Sequence, residues 1–394
     1  MIYPVIRIVV LLMVISTSAS AQDWKILPDN RYEEVSPFSE GLACVKVKSA
    51  NGMYGYCNQK AELVIAAAFT EADMFQNGYA RVCMAGSSGS SSDIAIRHGY
   101  IDLQGKFYEV PANWGTPRGS IDSDMFLLEK TQSQGQGKAS KIYGYGNIQK
   151  LKSELEKQND NAAYMPVNNH ATEWYLEATP FQRGISCVAT FEGYHYINTS
   201  QQRLFNRSYE KATAFVSYGV ALVVIDGIPQ IIDMNGKSLM TLKIFECQEI
   251  GLGYLGSSIC AAYMFNESLD GASYLIDLSE MKIIESQLEY SYSDVFEKKL
   301  IWKFEEWQVG QFVLNKFRAQ LMGTDGKVVK QFPEGFAYRG VGNYLLSDVN
   351  GEGFMFYNSY GEVMQMEPVD DAVHAWDNIY WLKENGQWGL MEMD

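Results

Sequence analysis

Histidine is nearly missing. The 394-residue chain has four, His98, His170, His195 and His374. Neither H-E-x-x-H nor G-x-S-x-G occurs, which removes two common hydrolase signatures. Six cysteines are present, Cys44, Cys57, Cys83, Cys187, Cys247 and Cys260, but none forms a C-x-x-C pair, so a zinc site is not expected. Positive charge is scarce: 32 Lys and Arg face 47 Asp and Glu, a formal net charge of −15. Nucleic acid needs a basic footprint, and none is visible. Anionic membrane surfaces are disfavoured for the same reason. Helical periodicity is confined to one stretch, Ile148–Lys157, where Ile148, Leu151 and Leu155 recur at spacings of three and four. It reads as a short helix inserted on one edge of a different architecture.

Long apolar runs are absent after residue 21. Before it, Arg7, the apolar run Ile8–Ile15 and the small residues Ala19-Ser-Ala21 read as a secretory signal with cleavage before Gln22. The run is too short to span a bilayer, so no membrane insertion is expected after cleavage. An exported chain, periplasmic or extracellular, is the expectation. Loss of Arg7 leaves 31 basic residues against 47 acidic, a charge near −16. Export would permit disulfides among the six cysteines. Cys44 and Cys187, however, hold equivalent positions in a repeat where a small residue packs well, which favours buried free thiols.

What the chain has in abundance is turn glycine, 34 residues, and tyrosine, 25. They are organised by a phrase that is clearest from Phe75 to Lys106. Ala80, Val82 and Met84 share one face of a strand and Arg81 and Cys83 the other, the period of a half-buried strand. Tyr100-Ile-Asp-Leu-Gln-Gly105-Lys106 carries a second strand into a turn with Gly105 near its end. The Ser-rich stretch Gly86–Ser92 between them is a loop too polar to pack. Worn copies recur, with anchors near positions 56, 100, 145, 196, 232, 275, 321, 356 and 390, separated by 34 to 51 residues. A sheet that small cannot bury its apolar face alone, so copies must stack.

Met53-Tyr-Gly-Tyr56, Gln387-Trp-Gly-Leu390, the Asp-x-x-Gly-Lys turns and Phe-x-x-Gly-x-Ala-x-Val (Phe38, Phe75) together resemble the bacterial WG-repeat (KWG) family. The resemblance implies a β-repeat architecture and no catalytic residues. The expected fold is all-β, a tandem array of about eight or nine three- or four-stranded WG-type repeats with one short inserted helix. It takes the form of a propeller-like ring or an open β-solenoid. After the leader, 22–106 holds the N-terminal repeats, 107–175 a degenerate repeat with the helix, and 176–394 further degenerate repeats. Trp24–Leu27 reads as a closing strand without a beginning, and Trp388–Met391 as a strand without a successor. A ring would join them in one sheet.

The expected function is an exported binding or scaffolding protein that recognises protein or glycan through loops and exposed aromatics, without cofactor, metal or catalysis. Trp302 and Trp307, and Trp376 and Trp381, are each five apart, which in a regular strand places the two on opposite faces. These four are the candidate ligand contacts. The alternative is a glycan-active hydrolase using a carboxylate pair, with Asp122/Asp124, Glu305/Glu306 and Asp370/Asp371 as candidates. Asp348-Val-Asn-Gly-Glu352 reads as a hairpin turn rather than a calcium loop. Asp102, Asp233 and Asp277 occupy one repeat position and read as turn formers.

Overall fold

The computed structural model describes residues 24–86, 96–133, 139–160, 173–243, 248–256, 258–265, 271–286, 290–296, 300–309, 312–323, 325–331, 337–348, 353–358, 360, 362–364 and 366–393. The leader, Ser87–Ser92, His170, Cys247 and residues 349–352 lie outside the described residues. Within them are nine antiparallel sheets, six of four strands and three of three. Eight are meanders in which sequence neighbours pair, and the ninth adds an N-terminal strand to a C-terminal meander. In blade 1 the strands are Tyr32–Ser39, Leu42–Val47, Met53–Cys57 and Leu63–Phe69. The nine anchors inferred from the sequence fall one per sheet, each in its third strand, from Tyr56 in Met53–Cys57 to Leu390 in Gln387–Glu392. Where the fourth strand is missing, isolated bridges replace it, such as Tyr143 to Tyr175 in blade 3 and Tyr194 to Tyr209 in blade 4.

The array is a closed ring. Trp24–Asp29 is the fourth strand of blade 9, antiparallel to Gln387–Glu392, with Trp24 opposite Met391 and Ile26 opposite Leu390. Blade 9 then packs on blade 1, where Tyr32, Val45, Val47 and Cys57 meet Ile379, Trp381, Trp388 and Leu390. The Trp388 Nε1–H donates to the Glu33 carbonyl at 3.1 Å. The open solenoid is excluded. First strands touch from blade 5 through blade 9 and on to blade 1, where Tyr32–Ser39 meets Asp371–Trp376, and line the inside of the ring there.

The core is a set of layers between blades. One layer joins blades 1 and 2 through Tyr56, Ile65, Phe75 and Val82, and another joins blades 4 and 5 through Tyr196, Phe215 and Val223. Blades 1 to 5 and blade 9 are therefore covered on both faces. That corrects the half-buried reading of the Tyr79–Ala85 strand: Val82 is 0% and Cys83, on the opposite face, 1% exposed.

The repeat phrase has a steric cause. A Cβ on Gly55 would lie 2.7 Å from the Ile65 carbonyl, on Gly99 2.3 Å from that of Tyr108, and on Gly389 2.7 Å from that of Ile26. At all three the fourth strand crosses directly over the glycine. The next position, tyrosine in blades 1 to 4 (Tyr56, Tyr100, Tyr145 and Tyr196), faces the next blade. Tyr56 Oη donates to the Asp73 carbonyl at 2.8 Å, Tyr145 to Thr179 at 2.9 Å and Tyr196 to Thr213 at 2.8 Å. The phenylalanine of Phe-x-x-Gly, or of Phe-x-x-x-Gly at Phe215, packs on the same ring, with centroids 4.7–4.8 Å apart for Tyr56–Phe75, Tyr145–Phe181 and Tyr196–Phe215.

The third strand ends in an Asx turn, as expected for Asp102, Asp233 and Asp277. Asp102 Oδ1 accepts from the amides of Gln104 and Lys106 at 3.1 and 2.9 Å. In blade 3 the equivalent residue is Asn147, whose Oδ1 accepts from Gln149 and Lys150 at 3.0 and 3.1 Å. The same side chain there caps a helix, α1 (Ile148–Asp160), where the other blades turn. Ile148 and Leu151 are buried against Tyr100, Tyr108 and Trp114. Apart from the 3-10 turn Lys48–Ala50, α1 is the one helix among the described residues.

Candidate functional site

Two clefts flank blade 2. The first, about 460 Å³, lies between blades 1 and 2 and is lined by Glu34, Ser36, Cys44, Tyr54, Glu71, Asp73 and Arg81 among others. Its carboxylates are committed. Arg81 forms a fork to Asp73, with Nε 2.8 Å from Oδ2 and a second nitrogen 2.9 Å from Oδ1, and reaches Glu71 at 3.3 Å. Lys46 bridges Glu33 and Glu34 at 3.1 and 2.9 Å. The Glu34 carboxyl titrates below its ordinary range because Lys46, and then Tyr54, donate to it. Glu71 is likewise held down by hydrogen bonds from Cys83 and Arg81.

Behind this cleft Cys83 Sγ lies 3.1 Å from His98 Nδ1 and 3.4 Å from Glu71. The grouping looks nucleophilic, but burial pushes the thiol up to about 11 and the His98 imidazole down. A thiolate–imidazolium pair is not favoured, and Cys83 is 1% exposed. Cys44, Cys57, Cys83, Cys187 and Cys260 are all free and buried. Cys44 and Cys187 donate to matching inner-strand carbonyls, Ala72 and Ala212, as their equivalent repeat positions imply.

The second cleft, about 650 Å³, runs between α1 and the outer hairpin of blade 2, Ile96–Asp102 and Phe107–Glu109. Arg97, Lys106 and Lys152 line it with Phe107, Tyr108 and Leu155. Arg97 stacks over Phe107 at 5.2 Å and its Nε donates to Glu109 at 2.8 Å. Lys106 and Lys152 sit over the Tyr108 ring at 5.1 and 4.8 Å, and Lys152 also over Tyr79 at 4.7 Å. Burial, with the bond to Asp102, raises the Tyr108 hydroxyl to about 12. None of these residues was singled out from the sequence. The signal available was Lys106 in the Asp-x-x-Gly-Lys turn, but its partner Lys152 is on the inserted helix.

The four tryptophans divide. Trp381 is 1% exposed and stacks parallel to Phe38 at 5.9 Å, while half-buried Trp376 meets Phe38 edge-on at 4.8 Å. They belong to strands Asp371–Trp376 and Ile379–Glu384, on either side of a turn, so the spacing argument for one strand does not apply. Both pack where the ring closes; of this pair, Trp381 is buried and leaves no face for a ligand, and Trp376 is the one with partial exposure. Trp302 and Trp307 share strand Leu300–Val309 of blade 7, opposite Leu321 and Lys316. Their side chains, and those of Glu305 and Glu306, lie outside the described residues.

The remaining carboxylate pairs are structural. Asp122 accepts from the amides of Arg183 and Gly184 at 3.2 and 3.1 Å, joining blades 3 and 4, and Asp124 accepts from Gln149. Asp370 accepts from the Gly386 amide at 2.7 Å. His195 is buried beside Thr190, 3.1 Å away. Among the described residues no group of His, Cys, Asp and Glu is arranged to hold a metal, and no helix is long and apolar enough to cross a membrane.

Comparison with known proteins agrees with this architecture. No curated protein matches the chain. A solved structure described as the eukaryotic initiation factor shares 10% identity over 88% of each chain, with a TM-score of 0.51, a likeness of fold alone. The β-propeller domain of the Trilobed protease from Pyrococcus furiosus shares 14% identity over 71% of this chain and 81% of its own, with a TM-score of 0.31. The WD40 domain of Toxoplasma gondii coronin shares 8% identity over 95% and 84%, with a TM-score of 0.32. Residues 31–49 and 54–86, through blade 1 and into blade 2, match the WG containing repeat family, the resemblance carried by Tyr54-Gly55-Tyr56 and Phe75-x-x-Gly78.

Proposed function

We propose that this ring is an exported, non-catalytic binding scaffold whose ligand, a glycan or a protein, docks at the periphery of the blades. The cleft between α1 and blade 2 is its main site, and Trp302 and Trp307 are further contacts. The observation that carries the non-catalytic reading is the state of the carboxylates in the other cleft, between blades 1 and 2, where they are most concentrated. A glycoside hydrolase needs one carboxylic acid kept protonated near neutral pH and a second carboxylate ionised across the sugar. Glu34 and Glu71 are instead held ionised by cations and donors. Glu384, whose carboxyl is pushed up by burial and then by Asp370 and Glu367, lines neither cleft.

The test is incubation of the mature chain with a polysaccharide panel, scored for retention by affinity electrophoresis and for new reducing ends. Retention without reducing ends is the expected result. Hydrolysis that disappears in Glu34→Gln or Glu71→Gln would establish the glycan hydrolase instead.

A further inference from the structure

We infer that the cleft between α1 and blade 2 takes a carboxylate-bearing saccharide, with Lys106 and Lys152 recognising the charge. This names the ligand class for the binding reading above and rests on it.

The argument starts from charge. In a chain of formal charge −15, this cleft gathers three cations. Arg97 is satisfied by Glu109. Lys106 and Lys152 have no carboxylate partner among the described residues; both ammonium groups rest near one ring, that of Tyr108, at 5.1 and 4.8 Å. Two like charges drawn to one ring repel each other, and an anion shared between them relieves that repulsion. The aromatic faces are already covered by cations, so the cleft is arranged for anion recognition rather than for stacking on free rings. Its other lining suits a polyol. Of nine lining residues only Phe107 and Leu155 are apolar, while Glu109, Glu156 and Gln158 offer hydroxyl acceptors beside the lysines. With three cations against Glu109 and Glu156 the lining carries a net single positive charge, which matches one carboxylate and not the several charges of a polyphosphate. A peptide groove would instead present apolar pockets at regular intervals. The volume, about 650 Å³, falls within the range of small-ligand clefts.

Calorimetric titration of the mature chain with an oligouronate, its carboxyl-reduced neutral counterpart and an oligoglutamate peptide tests this. The oligouronate is expected to bind in preference to the other two, and more weakly as salt rises. Replacing both Lys106→Gln and Lys152→Gln should weaken it roughly tenfold to a hundredfold, the loss of one or two charged hydrogen bonds, in a chain that still melts cooperatively and only a few degrees lower for the lost ring contacts. Lys152→Arg should retain most of the affinity. Equal binding of the neutral counterpart overturns the charge recognition, and undiminished binding by the double variant overturns the site. Tighter binding of oligoglutamate, or no binding of any of the three, overturns the ligand class. New reducing ends from the oligouronate would sink the non-catalytic reading while leaving this site in place.

Discussion

At the scale of single residues, glycine does two separate jobs. Gly78 and Gly105 have φ of +82° and +79°, where a β-branched side chain strains the backbone. Gly78→Val and Gly105→Val should each lower stability by about 1–3 kcal/mol. Gly99→Ala tests the other job, because its Cβ would meet the Tyr108 carbonyl at 2.3 Å; overpacking of this kind costs about 1–3 kcal/mol. Substitutions in Ser87–Ser92 should stay within about 0.5 kcal/mol. Equal urea midpoints for all of them would contradict these roles. Cysteine supplies a pH prediction. Burial raises Cys83 from 9.0 to about 11, and Cys44, Cys57, Cys187 and Cys260 to about 12. The folded values lie above the unfolded ones, so this contribution is complete below pH 9 and fades as pH climbs through 11 to 12. Melting temperature should fall over that window. Iodoacetamide at pH near 8 should leave all five unmodified in the native chain and label them in denaturant; native labelling would show that the thiols are accessible.

At the scale of elements, blades 1 to 4 are each tied to the next by the tyrosine of the third strand. Tyr196→Phe keeps the ring packed on Phe215 but removes the donor to Thr213, which should cost about 0.5–1.5 kcal/mol. No loss in a denaturation curve would place the tie in the ring contact alone. Asn147 carries a different load, because it caps α1 and α1 carries Lys152. Asn147→Ala should cost about 1 kcal/mol and reduce helical ellipticity. Unchanged ellipticity would mean that Ile148 and Leu151, buried at 0% exposure, hold α1 without its cap.

At the scale of the whole molecule, stability depends on closure. Deleting 23–28 removes the fourth strand of blade 9 and strips cover from Gly389 and Leu390. Stability should drop by several kcal/mol, since a strand's burial and ladder are lost together. Amide exchange at Trp388–Met391 should accelerate. Exchange unchanged there would contradict closure through the N-terminal strand. Trp376 and Trp381 take part in the same junction through Phe38, the place where blades 1, 3 and 4 pack tyrosine on the phenylalanine of the next blade.

The sequence by itself determined the unit. Nine anchors marked one strand in each of about eight or nine units, though as the second strand of the unit where the structure makes it the third; Asp102 and Asp233 predicted turns, and the period at Ile148, Leu151 and Leu155 predicted the inserted helix. All of these are local, written in a few adjacent residues by turn chemistry and hydrophobic spacing. Tertiary structure alone decided the rest. Ring rather than solenoid depends on whether Trp24 reaches Met391, a contact across nearly the whole chain that no local pattern encodes. Burial of Cys83 and Trp381 depends on a neighbouring blade covering the second face of each sheet. The lysine cleft exists because α1, leaving blade 3 where other blades turn, lays Lys152 beside the Tyr108 ring that Lys106 already covers.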